Sequence, residues 1–279
     1  PQSTLIKRYR ERIGADKDTI MTLETFKKCL STIPLHVGLN FTGYVEPFLA
    51  PETPDMILHA AERGYSVLLN TTLVGLKKED WMRIKDVNYR ELHIHLPSCA
   101  FDEMIGVKIP VETYEHEGRK IKALSEEYYD MLNFLIQNPG NGWGQYKLDF
   151  HCLGDLHPEL ADLTNHFYVG VRQVNSRAMN ILLEKKDKVP PEENIRGNCS
   201  RVYQNVLLPD GSLSLCCQDY GLDEVLGNLV ENTWDEYEAS ETVKRIRKEG
   251  ADLCDYCEEG LTYTDTASWQ QWRRPSQLY

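Results

Sequence analysis

Five of the eight cysteines in this 279-residue chain fall in its last third, and their spacing constrains the fold more than any other feature. Cys29, Cys99 and Cys152 stand alone, whereas Cys199, Cys216, Cys217, Cys254 and Cys257 crowd together. The Cys254-x-x-Cys257 pair directs two thiolates at one point, and a hairpin bracketed by Cys199 and Cys216 can bring two more. Four soft ligands suit zinc or an iron–sulfur cluster, and spacing by itself does not choose between them. Cys217 can replace Cys216 as ligand, but adjacent strand residues point to opposite faces, so both seldom bind one ion. An even cysteine count also admits a disulfide framework. That suits short secreted chains, whereas this one is long, shows no basic-then-apolar signal pattern and carries a C-x-x-C pair. A reduced, cytoplasmic compartment is the expectation.

Composition narrows the partners. With 31 Lys+Arg against 43 Asp+Glu the formal net charge is −12, unlike the basic surface of a nucleic-acid binder. No apolar run approaches the ~18 residues of a membrane span. Neither a nucleic acid nor a membrane is expected as a partner.

Up to about residue 180, β-rich runs alternate with amphipathic stretches. Strands are expected at His36–Phe41, Ser66–Asn70, Glu91–Leu96, Tyr146–Cys152 and Tyr168–Val174. Helical segments are expected at Thr22–Ser31, with Thr22 as N-cap, and at Met56–Arg63, Lys78–Lys85, Ser125–Gln137 and Pro158–Asn165. Strands separated by helices imply βαβ crossovers and a parallel sheet, with functional residues at the carboxyl ends of the strands. Five strands leave a barrel-like sheet one short at its amino end. Lys185–Gly197 reads as a linker. Beyond it, Tyr203–Leu208 and Ser212–Leu215 flank an Asp-Gly turn as a hairpin, and Trp234–Lys248 as one helix.

From Cys199 through Gly211 to Cys216, and on to Leu226-Gly-Asn-Leu229, the sequence resembles the start of a SPASM or Twitch auxiliary-cluster domain of radical S-adenosylmethionine (SAM) enzymes. That pattern is a Cys, a gap, Gly, four residues and Cys, and Cys254-x-x-Cys257 completes four ligands. No cysteine follows Cys257, so the single-cluster Twitch form is the nearer match. Phe41-Thr42-Gly43-Tyr44-Val45-Glu46-Pro47 resembles the family's Gly-Gly-Glu-Pro loop, with Val45 in place of the second glycine. Asn175-Ser176-Arg177-Ala178-Met179-Asn180 resembles its Ser-Arg-Ala-Gly-Asn segment.

The resemblance implies an α/β fold: a partial (β/α)6 TIM-like barrel over 1–184, a small cluster domain of hairpin plus helix over 194–262, and a tail over 263–279. It implies a [4Fe-4S] auxiliary cluster on Cys199, Cys216, Cys254 and Cys257. SAM would be held by Gly43, Tyr44, Glu46, Asn70, Thr72, Ser176 and Arg177, with Glu46 facing the methionine ammonium. The family's C-x-x-x-C-x-x-C loop is absent, so a second [4Fe-4S] cluster is expected on cysteines upstream of Pro1; the alternative is a degenerate homologue without radical chemistry. The implied activity is hydrogen abstraction by a 5′-deoxyadenosyl radical from a small, carbohydrate-like substrate, giving oxidation or epimerisation, with flavodoxin or ferredoxin as one-electron reductant. A peptide-modifying maturase and a non-catalytic metal-stabilised binding domain are the alternatives.

Several residues carry two readings. Cys99 and Cys152, at strand ends, are hydrogen-atom donors to a substrate radical or small core residues. Glu46 and Arg177 are ligand contacts or ordinary surface charges. His93 and His95 share one strand face, and contact substrate or form a polar interior layer. Trp269, Trp272, Arg273 and Arg274 either cover the barrel mouth or form a loose tail.

Overall fold

Five strands run parallel because helical segments carry the chain back between them: β1 (Leu39–Phe41), β2 (Val67–Thr71), β3 (Tyr89–Leu96), β6 (Leu148–Leu153) and β7 (Val169–Arg172). They lie side by side in chain order, as in a barrel, but the sheet is not closed. The computed structural model describes residues 2–42, 44–99, 112–140, 148–172 and 199–257. Gly43, Ser176, Arg177, the linker 185–197 and the tail 263–279 lie outside the described residues.

The helices follow from their caps and apolar spacing. In α2 (Leu23–Leu30) the Thr22 hydroxyl accepts from the Thr25 N–H at 3.1 Å, and Phe26, Cys29 and Leu30 are buried. In α5 (Glu126–Gln137) Ser125 caps in the same way, and Tyr128, Met131, Leu132 and Leu135 form the buried stripe. Between them, α3 (Thr53–Glu62) and α4 (Lys78–Ile84) cover the same side of the sheet, α4 through the fully buried Trp81 and Ile84.

The period-two alternation of the strands divides the sheet. Leu69, Leu92, Ile94, Leu96, Phe150 and Cys152 face the helices and are buried. The opposite face carries Asn40, Asn70, Glu91, His93, His95, Asp149 and His151, matched across strands by the register Asn70↔His93↔Asp149 and His95↔His151. The hydrophobic face is thus spent on helix packing, and the inner face is left to polar side chains.

Some expectations need correction. Residues 36–38 do not join β1, because Val37 N–H bonds back to Pro34 O at 3.0 Å and closes a turn. Pro158–Asn165 is a 3-10 helix. Trp234–Lys248 is not one helix but two, α6 (Trp234–Ala239) and α7 (Glu241–Glu249). They are split at Ser240, whose backbone is extended and whose hydroxyl caps α7 through Val243 N–H at 3.2 Å. The hairpin of β8 (Val206–Leu207) and β9 (Ser212–Ser214) gains a third strand, β10 (Val225–Asn228). Two elements were not expected: α1 (Gln2–Arg12), and a hairpin of β4 (Thr113–His116) with β5 (Arg119–Lys122). Glu117 and Gly118 turn that hairpin at φ 50° and 76°.

Sheet and hairpin region share one hydrophobic core that runs from Trp81 and Phe150 to Leu215, Ile246 and the thiols of Cys216, Cys254 and Cys257. A smaller cluster of Leu5, Tyr9, Tyr44, Leu208 and Leu222 docks α1 on the hairpin. Tyr44, in the loop after β1, accepts from Ser214 Oγ at 2.7 Å while donating to the carbonyl of Cys216 at 2.8 Å. Tyr44→Phe keeps the ring and removes both bonds, leaving a buried carbonyl and hydroxyl short of a partner. A loss of about 1–3 kcal/mol is expected, read as a lower denaturation midpoint with unchanged circular dichroism.

Candidate functional site

Local turns, rather than long elements, place the four predicted cysteine ligands. Cys199 precedes the 3-10 turn Ser200–Tyr203, and Cys216 ends the segment that leaves β9. Cys254 sits inside the 3-10 turn Asp252–Tyr256, and Cys257 caps it, its N–H bonding to Cys254 O at 3.3 Å. All four are reduced and line one small cavity with Arg201 and Gln218. Three are buried, and burial pushes the Cys216 thiol up to about 12, helped by the neighbouring Cys217, Cys257 and Asp219. Backbone N–H of Ala251 reaches Cys254 Sγ at 3.5 Å, the kind of contact that tunes a bound cluster. Cys217 is not among the cavity residues. Its sulfur accepts instead from Arg201 at 3.5 Å and Gln218 at 3.8 Å. The donor set fits a thiolate-bound metal centre, and of the pair Cys216 and Cys217 it is Cys216 that lines the cavity.

The turns are braced by polar side chains the sequence did not single out. Asp219 is fully buried and accepts from the N–H groups of Asp223 at 2.8 Å and Glu224 at 3.0 Å, fixing the loop behind Cys216. Asn205 donates to the carbonyls of Val202 and Leu215 and accepts from Tyr237 Oη at 2.7 Å, so it ties the Cys199 turn to the hairpin. Gly211 turns the hairpin at φ 88°, and a Cβ there would stand 2.5 Å from Val230 Cγ2.

At the carboxyl ends of β1 and β2 the buried carboxylate of Glu46 is the organising group. It accepts from Thr71 Oγ1 at 2.7 Å, Thr72 N–H at 2.6 Å, Thr72 Oγ1, and Phe48 N–H at 3.3 Å. Burial raises its pKa, and these hydrogen bonds oppose the shift. A carboxylate has about four lone-pair sites, so Glu46 is engaged within the chain and acts on any ligand through the loop it shapes. Tyr44 is likewise committed to the cluster hairpin. Asn70 and Thr72 stand at the rim, Asn70 donating to Asn40 Oδ1 at 2.8 Å.

The two solitary thiols part company. Cys152 faces the helices, fully buried, and donates to Gly154 O at 3.1 Å, because it alternates with the inward-facing His151. A donor role toward a ligand on the inner face is therefore corrected to core packing. Cys99 lies just beyond β3 and is partly exposed, its thiol on Leu156 O at 3.4 Å. Burial and the nearby Asp155 raise its pKa, which keeps it a thiol at neutral pH. His93 and His95 do share the inner face, where β6 adds Asp149 and His151. Burial lowers the His93 pKa, but hydrogen bonds to Asp149 at 3.3 Å and Glu91 at 3.1 Å outweigh it and hold the imidazole above its ordinary value. Asp149 and His151 were legible as the polar half of an alternating strand, though not as neighbours of His93.

The class this defines is an open α/β sheet joined to a small hairpin domain in which four cysteines line one cavity. Residues 199–259 match the SPASM family, an iron-sulfur cluster-binding domain. The chain is similar in fold to the crystal structure of BtrN in complex with AdoMet and 2-DOIA. The TM-score is 0.54 at 14% identity, over 87% of this chain and 82% of that one. Native anSMEcpe with bound AdoMet aligns at a TM-score of 0.48 and 14% identity, over 86% and 78% of the two chains. Streptococcus suis SuiB aligns at 0.39 and 15%, over 80% and 62%. The fold comparison rests on BtrN. No protein of curated function matches the chain in sequence. The family match bears out the resemblance to an iron-sulfur cluster-binding domain of SPASM type over residues 199–259, and the fold of the chain is similar to that of BtrN. No helix among the described residues is long and apolar enough to cross a membrane.

Two predictions follow from the bracing. Gly211→Ala forces a left-handed backbone and a clash, with an expected cost of about 1–3 kcal/mol, checked by denaturant unfolding. Burial raises the Asp219 pKa from 3.8 to about 6. Its contribution to stability is therefore full below the unfolded value and lost as pH rises through about 6. Urea midpoints measured across that window should fall with pH, and Asp219→Asn should flatten the fall.

Proposed function

We propose that this chain is a radical SAM enzyme whose auxiliary [4Fe-4S] cluster is held by Cys199, Cys216, Cys254 and Cys257. The observation that carries this is the convergence of those four reduced cysteines on one cavity, within the segment matching the SPASM family. With all four positions taken by protein thiolates, the cluster has no open iron and serves electron transfer. SAM would bind at the carboxyl ends of the strands, where Glu46 orders the loop after β1 and Asn70 and Thr72 offer polar contacts. The fold is shared with BtrN, whose structure holds AdoMet. Reductively cleaved SAM supplies the hydrogen-abstracting radical. That cleavage requires a further cluster, and this sequence does not contain the C-x-x-x-C-x-x-C run that would hold it.

An inner face of Asn, Glu, His and Asp side chains suits a small, hydroxyl-rich substrate, whose many donors and acceptors need partners when buried. Oxidation or epimerisation of a carbohydrate-like carbinol is the proposed chemistry, with an external flavodoxin- or ferredoxin-type reductant. Cys99, just beyond β3 and partly exposed, is the thiol proposed to return a hydrogen atom in an epimerisation.

A four-thiolate set also suits zinc, so the metal is the first test. Anaerobically prepared protein should be brown, with iron and acid-labile sulfide in equal amounts, and Cys216→Ser should lose both. A colourless protein holding zinc without sulfide would overturn the cluster. SAM binding is tested by equilibrium dialysis. Glu46→Gln should weaken it about ten-fold or more, given about 1–3 kcal/mol for a disrupted buried hydrogen bond, without altering the iron content. Unchanged affinity would remove Glu46 from the site. Deuterium from D2O in the product carbon, lost in Cys99→Ala, would mark epimerisation; a ketone without label would mark oxidation.

A further inference from the structure

The inner face holds a group of side chains that the cluster and SAM readings leave unused. The parallel register sets His93 of β3 opposite Asp149 of β6, and His95 opposite His151. One donor atom each from His93, Asp149 and His151 lies within 4.8 Å of the other two. Asp149 Oδ2 is 3.3 Å from His93 Nδ1 and 3.9 Å from His151 Nδ1. Nitrogen and oxygen ligands at about 2.0–2.1 Å from a tetrahedral ion sit roughly 3.3 Å apart, so Asp149 Oδ2 already stands at that spacing from His93 Nδ1 and somewhat beyond it from His151 Nδ1.

We propose that His93, Asp149 and His151 form a site for a divalent transition-metal ion, bound through the two Nδ1 atoms and a carboxylate oxygen. The outer nitrogens support this assignment. His93 Nε2 lies 3.1 Å from Glu91 Oε2, and His151 Nε2 lies 2.6 Å from His95 Nε2. A proton held on each Nε2 by those acceptors leaves the Nδ1 lone pair directed at Asp149, the tautomer a metal needs. A carboxylate behind a ligating histidine, as Glu91 stands behind His93, orients the ring and raises its basicity.

The setting also fits. His151 is fully buried and held by packing, whereas the His93 and Asp149 side chains are 18% and 33% exposed, which leaves a path for an ion from the open side of the sheet. Two imidazoles and one carboxylate suit zinc or ferrous iron and leave positions open for water or a substrate oxygen. Asn70 is the register neighbour of His93, so the site adjoins the proposed SAM pocket. It shares no ligand with that pocket or with the four cysteines, and it stands whether or not either reading holds. A proton shared between His93 and its carboxylates is the rival occupant.

The test titrates Zn2+ into cluster-loaded protein, with the four cysteines already occupied and SAM absent, and reads uptake by calorimetry and elemental analysis. One zinc per chain beyond the cluster metal is expected. Asp149→Asn, nearly isosteric and partly exposed, should abolish it, as should His151→Gln, while Glu91→Gln should weaken it about 10–100-fold. Circular dichroism reports folding, and Asp149→Asn with Glu91→Gln carry the test if the buried His151 variant unfolds. No uptake by the wild type, or uptake that survives Asp149→Asn, would overturn the site and assign the cluster to proton sharing.

Discussion

The carboxylate of Glu46 is the contact on which the shape of the loop after β1 depends. Buried, it is balanced by donors from two different elements: Phe48 N–H in its own turn, and the Thr71 and Thr72 groups at the end of β2. Such a group is costly unless every lone pair is met, so the loop after β1 has one low-energy shape. Two residues earlier in that loop, Tyr44 reaches the Cys216 carbonyl and Ser214. One short segment therefore fixes the rim of the sheet and the hairpin that presents a cysteine.

A second constraint comes from the sheet. Helices covering one face claim its apolar residues, and the alternation of side chains sends their neighbours to the other face. The consequence is a row of ionisable groups on adjacent strands, where the pKa of His93 is set by its partners. His93 between Glu91 and Asp149 shows it, since burial alone would drive its pKa down. The same alternation takes Cys152 out of contention as a thiol for that face and leaves Cys99, beyond the end of its strand, in contention.

Much of this was legible in the residues. The five parallel strands were marked by β-rich runs between amphipathic segments, and Thr22 caps as its position suggested. The four cysteines were marked by the C-x-x-C pair and by Gly211 four residues before the Leu215–Cys216 step. The break at Ser240 was harder to see, because apolar periodicity runs across it. A serine competes as C-cap of one helix and N-cap of the next, and tertiary packing of Tyr237 and Ile246 on different parts of the core decides for the break. Nothing in the local sequence marked Asp219 or Asn205, whose roles consist of bonds to backbone several residues or a whole turn away.

The sequence by itself determined the strand and helix periods, the caps, the inward and outward halves of each strand, and the donor chemistry of the last third. These depend on near neighbours, and short-range sterics and hydrogen bonding suffice to set them. Tertiary structure alone decided which thiol of the Cys216–Cys217 pair enters the cavity, that Tyr44 serves the hairpin, and that His93, Asp149 and His151 meet. Each of those depends on strand register or loop closure between distant segments, and a register is an energy of pairing that no single strand contains.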